Sequence, residues 1–422
     1  MPSSWQEVLL GDAAEELTVG FVGTMASEYE TDGVPFLRSQ NVEPFRLVFD
    51  DVKYINPQFH LKLKKSALCP GDVVIVRTGK PGTAAVVPSG LGELNCSDLV
   101  IIRPGSRLNS RFLCYHLNGI AQGHISAHLV GAVQQHFNVG SARLLPLRLP
   151  PLSEQHAIAS ILGALDDKIE LNRRMNETLE ELARTIFKSW FVDFDPVKAK
   201  AEGRQPEGMD AETAALFPNR FVESELGMIP EGWEASTLGR VIELQDEKRI
   251  PVARLDREKR RGPYPYYGAS DVVDYIDDYL FDGTFVLLSE DGENLRSRKT
   301  PIAFLARGKF WVNNHAHVLL GRLSLCVEHL VIFLQSCDIN PYLTGAVQPK
   351  LSQENLRRIP FIEAPDIVHA SFANAIRPLY AQDALNDAQT QNLTALRDYL
   401  LPKLISGELR VPDAERLAEA VL

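Results

Sequence analysis

The chain is poor in cysteine. Its 422 residues hold five, Cys69, Cys96, Cys114, Cys326 and Cys337, and none stands in a C-x-x-C pair. That spacing speaks against a zinc ribbon and suggests no disulfide framework, so free thiols in a reducing compartment are expected. No apolar run reaches the ~18 residues of a membrane span. The start, Met1-Pro2-Ser3-Ser4-Trp5-Gln6-Glu7, lacks the basic and apolar regions of a signal peptide. A soluble, cytoplasmic protein is the expectation, with no membrane among its partners. Positive charge is also short: the formal net charge is −11 and the isoelectric point about 5.5. A uniformly basic nucleic-acid binder is disfavoured, although charge can be segregated.

Catalytic signatures are missing too. There is no G-x-x-x-x-G-K-[ST] phosphate loop, and Gly79-Lys80-Pro81-Gly82 is too short for one. Asn340-Pro341-Tyr342 lacks the second proline of the motif with which amino-methyltransferases hold an adenine, and no glycine-rich cofactor loop accompanies it. Pro365-Asp366 is not followed by a nuclease-like Glu-x-Lys. His315 and His317 form an H-x-H pair without a third ligand nearby in sequence, which favours a structural role over a metal. We expect no catalytic residues, no metal and no cofactor: a protein that binds rather than one that makes or breaks bonds.

What the chain does have is a long-range internal repeat. Gly131-Ala132-Val133-Gln134 recurs as Gly345-Ala346-Val347-Gln348, an offset of 214 that holds onward without gaps. Arg143 meets Arg357, Pro146 meets Pro360, Pro151 meets Pro365, Asn172 meets Asn386 and Leu179 meets Leu393. The similarity upstream is looser, and Trp5 and Trp233 each open a block. The chain therefore reads as two half-molecules, each a mixed block followed by a long helix.

In the helical parts, Ile158, Leu162, Leu165, Ile169, Asn172, Asn176, Leu179, Ala183, Ile186 and Trp190 step by fours and threes. Phe372, Ile376, Leu379, Asp383, Asn386, Thr390, Leu393, Arg397, Leu400 and Leu404 repeat the pattern. Both are coiled-coil seams, each polar in the middle. Antiparallel pairing, centre on centre, places Asn172 against Thr390 and Asn176 against Asn386, so that the polar layers satisfy each other. A helix of this span is about 50 Å long. Ser153 and Asp366 are the expected N-caps, Gly407 the C-terminal stop, and Pro378 a kink or a late start.

Short apolar runs between Gly/Pro turns mark strands: Leu47–Phe49, Val73–Val76, Ala84–Val87 and Leu99–Ile102, then Phe285–Leu288, Ile302–Leu305 and His317–Leu320. Short helices are expected near 111–121 and 328–335. The fold class is α+β: two similar mixed sheet/helix blocks, 1–150 and 233–363, separated by an antiparallel pair of long coiled-coil helices, 151–193 and 364–407. An acidic linker, 194–232, carries four basic and eight acidic side chains, and 408–422 is a tail.

This organisation resembles the specificity (S) subunit of type I restriction–modification systems, over essentially the whole chain. The resemblance is strongest from Pro150-Pro151-Leu152-Ser153-Glu154-Gln155-His156-Ala157-Ile158-Ala159 through Leu165-Asp166-Asp167-Lys168-Ile169 to Asn172. It continues in Leu179-Glu180-Glu181-Leu182-Ala183 and in Phe187-Lys188-Ser189-Trp190-Phe191-Val192-Asp193-Phe194. The linker from Phe217-Pro218 to Trp233 and the ending Leu401-Pro402-Lys403-Leu404-Ile405-Ser406-Gly407-Glu408-Leu409 also look like this family. The resemblance implies two target-recognition domains, each reading one half of a bipartite site on double-stranded DNA. It implies helices that carry methyltransferase (M) subunits, and no catalysis in this chain. Adenine methylation falls to the M subunits, and cleavage to a restriction (R) subunit where one is present.

The alternatives are a coiled-coil scaffold that binds only proteins, a methylation-only complex, and a self-contained methyltransferase or nuclease. Base readers need Arg, Lys, Asn or Gln on exposed loops. The candidates in the first block are Arg77, Thr78, Gly79 and Lys80, then Gln134, Gln135 and His136 from the repeated loop. In the second block they are Arg296, Arg298 and Lys299, then Gln348 and Lys350. Local basic clusters also occur at Lys62, Lys64, Lys65 and at Arg257, Lys259, Arg260, Arg261, although solvated surface charge is the better reading of any one of them. Phe187, Phe191 and Phe194 are the candidate anchors for the M subunit, since large aromatics are typical of interfaces.

Overall fold

A computed structural model describes residues 5–130 and 136–419. Contacts divide the chain into two compact units, one built from Met1–Arg174 with Asn386–Leu422, the other from Met175–Leu385. Among the described residues, no helix is long and apolar enough to cross a membrane.

In the first unit, the strand Val73–Val76 is buried on both faces because its valines and isoleucine alternate between two cores. It is central in an antiparallel sheet ordered Ala84–Val86, Val73–Val76, Leu99–Arg103, Glu16–Val19. Val73, Ile75, Val100 and Ile102 pack with Phe112 and Leu117 of the helix Ser110–Gly119, and with Ile158, Leu162, Leu165, Leu393 and Leu400 of the long helices. Val74, Val76, Leu99 and Ile101 pack instead with Leu37, Leu68, Leu94 and Cys96 of a second, five-stranded sheet. In that sheet Val34–Leu37 and Leu94–Cys96 run parallel.

The second unit holds a six-stranded sheet ordered Ile242–Leu244, Ala316–Gly321, Phe281–Ser289, Ala303–Val312, Tyr264–Tyr267, Val272–Ile276. It is antiparallel except where Tyr264–Tyr267 and Ala303–Val312 pair. Val286, Leu288 and Leu319 face the helix Val327–Ser336 and the aromatic residues of the long helices. The strands expected from sequence are found, except that of the run Leu47–Phe49 only Leu47 lies in a strand, the two-residue Arg46–Leu47.

The repeat is visible in the hydrogen bonds of each unit. In the first, Gln6–Leu9 pairs antiparallel with Pro146–Leu149, and the Leu10 N–H donates to the Leu145 carbonyl at 2.8 Å. In the second, Glu234–Thr237 pairs with Pro360–Glu363, and Leu238 donates to Ile359 at 2.8 Å. The short helices Val139–Arg143 and Gln353–Arg357 precede the returning strands at the predicted offset. Gly11 and Gly239 lie so close to Arg143 and Arg357 that a Cβ there would stand 3.1 and 2.8 Å from an arginine Cβ. Each mixed block is thus closed by its own first and last strands.

The long helices run Leu152–Phe187 and Asp366–Ser406. Their first carbonyl acceptors are Pro151 and Pro365, two residues before Ser153 and one before Asp366, so both expected caps already lie inside the helices. Pro378 does not end its helix: it is exposed, as is Asn374 one turn earlier, so the carbonyl that loses its donor faces water. Gly407 stops the helix with φ +74°, and the Leu409 N–H returns to the Lys403 carbonyl. In the first unit Asn172 Nδ2 donates to Gln389 Oε1 at 3.0 Å and to Thr390 Oγ1 and the Asn386 carbonyl at 3.4 Å, the register expected. Nearby, Arg397 pairs with Asp166 at 2.8 Å, and Asp166 accepts from the Tyr115 hydroxyl at 2.5 Å. In the second unit Asn176 donates to the Asp383 carbonyl at 3.3 Å.

Past Phe187 a wide turn, Lys188–Val192, and a left-handed Phe194 (φ +56°) redirect the chain into the helix Asp195–Ala201. The expected linker is structured: the helix Ala211–Ala215 and the hairpin Phe221–Ser224/Gly227–Pro230 follow. The tail forms the helix Val411–Glu419, whose Ala414 and Ala418 join the first core.

Candidate nucleic-acid interface

The loop after Val73–Val76 is held by the turn that carries the chain from Leu94–Cys96 in one sheet to Leu99–Arg103 in the other. Asp98, left-handed at φ +52°, accepts from the Arg77 guanidinium at 2.6 Å and from the Thr78 hydroxyl at 2.9 Å. The Arg77 side chain is only 14% exposed, and its carbonyl accepts from the Phe137 N–H at 3.0 Å. Arg77 and Thr78 are therefore the frame of the loop. Gly79 (φ +85°, with open space around its α-carbon) and Lys80 form its exposed tip. Gln134 and Gln135 lie outside the described residues. His136 pairs with Val130 in both directions, at 2.8 and 3.0 Å.

In the second unit, Thr344 and Lys350 exchange two backbone hydrogen bonds of 2.8 Å and close the neck of the repeated loop. These positions lie 214 residues beyond Val130 and His136, so both copies are pinched at the same place. Arg296 donates to the Gly345 carbonyl at 2.7 Å and to the Ala346 carbonyl at 3.1 Å. Arg298, left-handed at φ +44°, caps the end of the helix Val327–Ser336 through the Gln335 and Cys337 carbonyls, at 2.9 and 2.7 Å. Lys299 and Gln348 are exposed, and Lys350 Nζ lies 3.1 Å from Glu290. The structure thus brings Arg296 together with the repeated loop and gives Arg298 a capping role. Arg296 and Arg298 meet carbonyl oxygens rather than carboxylates, so their charge is not neutralised, in contrast to Arg77.

Behind this loop lies a buried ion network that sequence patterning did not reveal. His317 Nδ1 is 2.6 Å from Asp246 Oδ2, and its Nε2 is 2.8 Å from the Leu351 carbonyl. Asp246 also accepts from the Val318 N–H at 2.8 Å and from Gln353 at 2.7 Å. Burial would raise the Asp246 and Glu290 carboxyls. For Asp246 the hydrogen bonds from His317 and Val318 with the charges of His317 and Arg249, and for Glu290 the hydrogen bonds from Arg249 and Lys350 with the charges of His317 and Arg249, together outweigh it and hold both below the ordinary carboxylate value. Asp246, Glu290 and His317 stand within 4.8 Å of one another, a spacing suited to a metal. Yet Arg249 already sits on both carboxylates, at 3.3 and 2.9 Å, and both imidazole nitrogens are engaged. The cluster is a closed salt bridge. His315 is outside it, paired with Asp291 at 2.9 Å.

The partner-anchor assignment is corrected. Phe187, Phe191 and Phe194 are only 4, 7 and 8% exposed. They pack within the second unit: Phe191 against Phe372 and Trp233 at 4.9 and 5.6 Å, and Phe194 against Trp233 at 5.6 Å. These rings are core and present no free face. The long helices do expose other apolar side chains: Leu171 and Tyr399 in the first unit, Leu182, Ile367 and Leu385 in the second.

Comparison with known proteins places this architecture. The model of the type I restriction modification DNA specificity domain matches residues 2–181 and again 230–370. The chain belongs to this family. A curated relative, the type I restriction enzyme MjaIX specificity subunit of Methanocaldococcus jannaschii, is 28% identical, over 98% of this chain and 95% of its own. The HindI specificity subunit of Haemophilus influenzae is 26% identical over 64% of this chain and 70% of its own. The crystal structure of a type I restriction–modification S subunit from M. genitalium has the same fold, with a TM-score of 0.60, 15% identity, and 95% of this chain and 96% of that one covered.

Proposed function

We propose that this chain is the DNA-specificity subunit of a type I restriction–modification complex. It does no chemistry itself. Each mixed block recognises one half of a bipartite site on double-stranded DNA, and M subunits bound to the long helices methylate adenine there. An R subunit, where the system has one, cleaves unmodified DNA, and the complex works in the cytoplasm. The observation that carries this reading is the pair of mixed blocks closed by the same hydrogen bonds. Their sequences match from the repeated Gly-Ala-Val-Gln loop into the returning strand and only loosely upstream of it. An architectural repeat has no reason to keep its frame and change its loops, whereas half-sites of different sequence supply one.

Lys80 in the first block, and Arg296, Lys299 and Gln348 in the second, contact DNA in this reading. Arg77, Thr78 and Arg298 shape their loops. Exposed apolar side chains take the place of the buried phenylalanines as contacts for M subunits, Leu171 and Tyr399 within the first unit and, separately, Leu182 and Leu385 within the second. Methylome sequencing of the host with and without this gene tests the proposal. A bipartite methylated-adenine motif should vanish when the gene is deleted and return when it is restored. An unchanged methylome in a strain whose M subunit is active would overturn it.

A further inference from the structure

Val347 stands on the repeated loop with 96% of its surface exposed. Its neighbours account for the shape of the loop but not for the valine. Gly345 is required by the backbone: φ is +83°, and a Cβ would stand 2.2 Å from the Gln348 carbonyl. Thr344 and Lys350 close the neck, and the Gly292 N–H holds the Pro349 carbonyl at 3.0 Å. Arg296 holds the two carbonyls before the valine. The loop is therefore pre-ordered, and it presents an apolar tip to water with nothing in the described chain to cover it. The Arg296 guanidinium, with no carboxylate partner among the described residues, lies just behind that tip and favours an anionic partner.

The repeat adds a second constraint. Gly-Ala-Val-Gln is the same in both halves, while the residues after it differ, Gln135-His136 against Pro349-Lys350. A side chain that reads a base pair should differ between half-sites of different sequence. One that is the same in both should do something that every half-site needs.

We propose that Val347 is an apolar wedge that enters the DNA of its half-site without reading sequence, and that Arg296 is the positioning residue that holds it out. The wedge would lie against a base step and partly unstack it, an action that depends on shape and hydrophobicity rather than on a donor–acceptor pattern. This rests on the DNA-binding reading above.

The test uses the complex of the full chain with its M subunit. The probe is a duplex carrying the site found by methylome sequencing, with 2-aminopurine at successive positions of each half, and a second duplex with each half scrambled in turn. The wild-type complex should bind the first duplex and brighten a 2-aminopurine position in the half that the second block serves. Val347→Ser should weaken binding by about tenfold, by the same factor on intact and scrambled duplexes, and should abolish that brightening. Val347→Ile should restore both, and Arg296→Ala should behave like Val347→Ser while leaving the other half unaffected. Unchanged affinity and unchanged fluorescence in Val347→Ser would overturn the wedge. So would a changed base preference in that half, which would make Val347 a reader. A wild-type complex that ignores the duplex would overturn the DNA reading itself, and the wedge with it.

Discussion

The Arg77 guanidinium lies against Asp98 with little of the side chain exposed, whereas Lys80 on the same loop stands in solvent. The two residues should therefore fail differently. Arg77→Ala strips a mostly buried hydrogen bond from a carboxylate and should cost about 1–3 kcal/mol of stability, read as a lower denaturation midpoint. Lys80→Ala should leave the midpoint unchanged, weaken DNA binding on every sequence, and reduce the salt slope by about one. A destabilised Lys80→Ala variant, or an Arg77→Ala variant of full stability, would reverse these roles. Sequence alone named both residues but could not separate them, because Asp98 lies in the turn between Leu94–Cys96 and Leu99–Arg103 and no spacing links it to Arg77. The buried histidines were equally illegible, since their effect comes from packing. Burial pushes the imidazoles of His116 and His369 down to about 4, and that of His329 well below its ordinary value. Unfolded, each takes up a proton near pH 6.5. Below that pH the unfolded chain holds more protons, so the stability present above pH 6.5 is lost as pH falls toward 4. His116 and His369 should each remove on the order of 3 kcal/mol over that window. Denaturation midpoints measured from pH 7 to pH 4.5 should fall, and less steeply in His369→Gln. Equal slopes in the two proteins would show that His369 titrates as freely as a surface histidine.

At the level of elements, the long helices were the most legible part of the chain, because a narrow seam leaves a periodic trace that does not depend on distant residues. The seam positions of the first helix from Ile158 to Ala183 are buried or half-buried, as its steps require. The end of that helix was misread for a physical reason. The wide turn at Lys188–Val192 breaks the phase, so the consecutive residues Trp190 and Phe191 are both buried, and the chain beyond Phe194 folds back to cover them. Aromatic content says that rings will be covered, not by which chain. Asn172 offers a sharper test. Its amide nitrogen makes one hydrogen bond of 3.0 Å and two of 3.4 Å, and its buried Oδ1 has no partner among the described residues. Gln389 and Thr390 are half-exposed and can turn to water. Asn172→Leu should therefore stabilise the first unit by about 1 kcal/mol, a rise of roughly 2–4 °C in the midpoint. It should also release the register, seen as additional species in size-exclusion chromatography. A single species with a lower midpoint would mean that the asparagine holds the pair together rather than selecting its alignment.

For the molecule as a whole, the question is how a chain of net charge −11 serves a polyanion. The linker, both long helices and the tail carry the excess acid, while the two mixed blocks are nearly neutral. Exposed cations with no carboxylate partner among the described residues then matter more than total charge; Lys80 in the first block and Lys299 in the second are two of them, each on a candidate loop. If each block serves one half of the DNA site, each lysine should couple to the phosphates of one half only. Duplexes with neutral methylphosphonate linkages in one half make this measurable as a double-mutant cycle. Lys80→Ala should lose affinity on the all-phosphate duplex and on the duplex neutralised in one half, and should lose nothing further on the duplex neutralised in the other. Lys299→Ala should show the opposite assignment, and the double variant should sum the two losses, because contacts in separate halves share no partner. Each single loss should lower the dependence of log affinity on log salt by about one. If both lysines couple to the same half, one block does not serve one half-site. If neither couples to either half, the charged loops do not touch DNA, whatever the rest of the chain does.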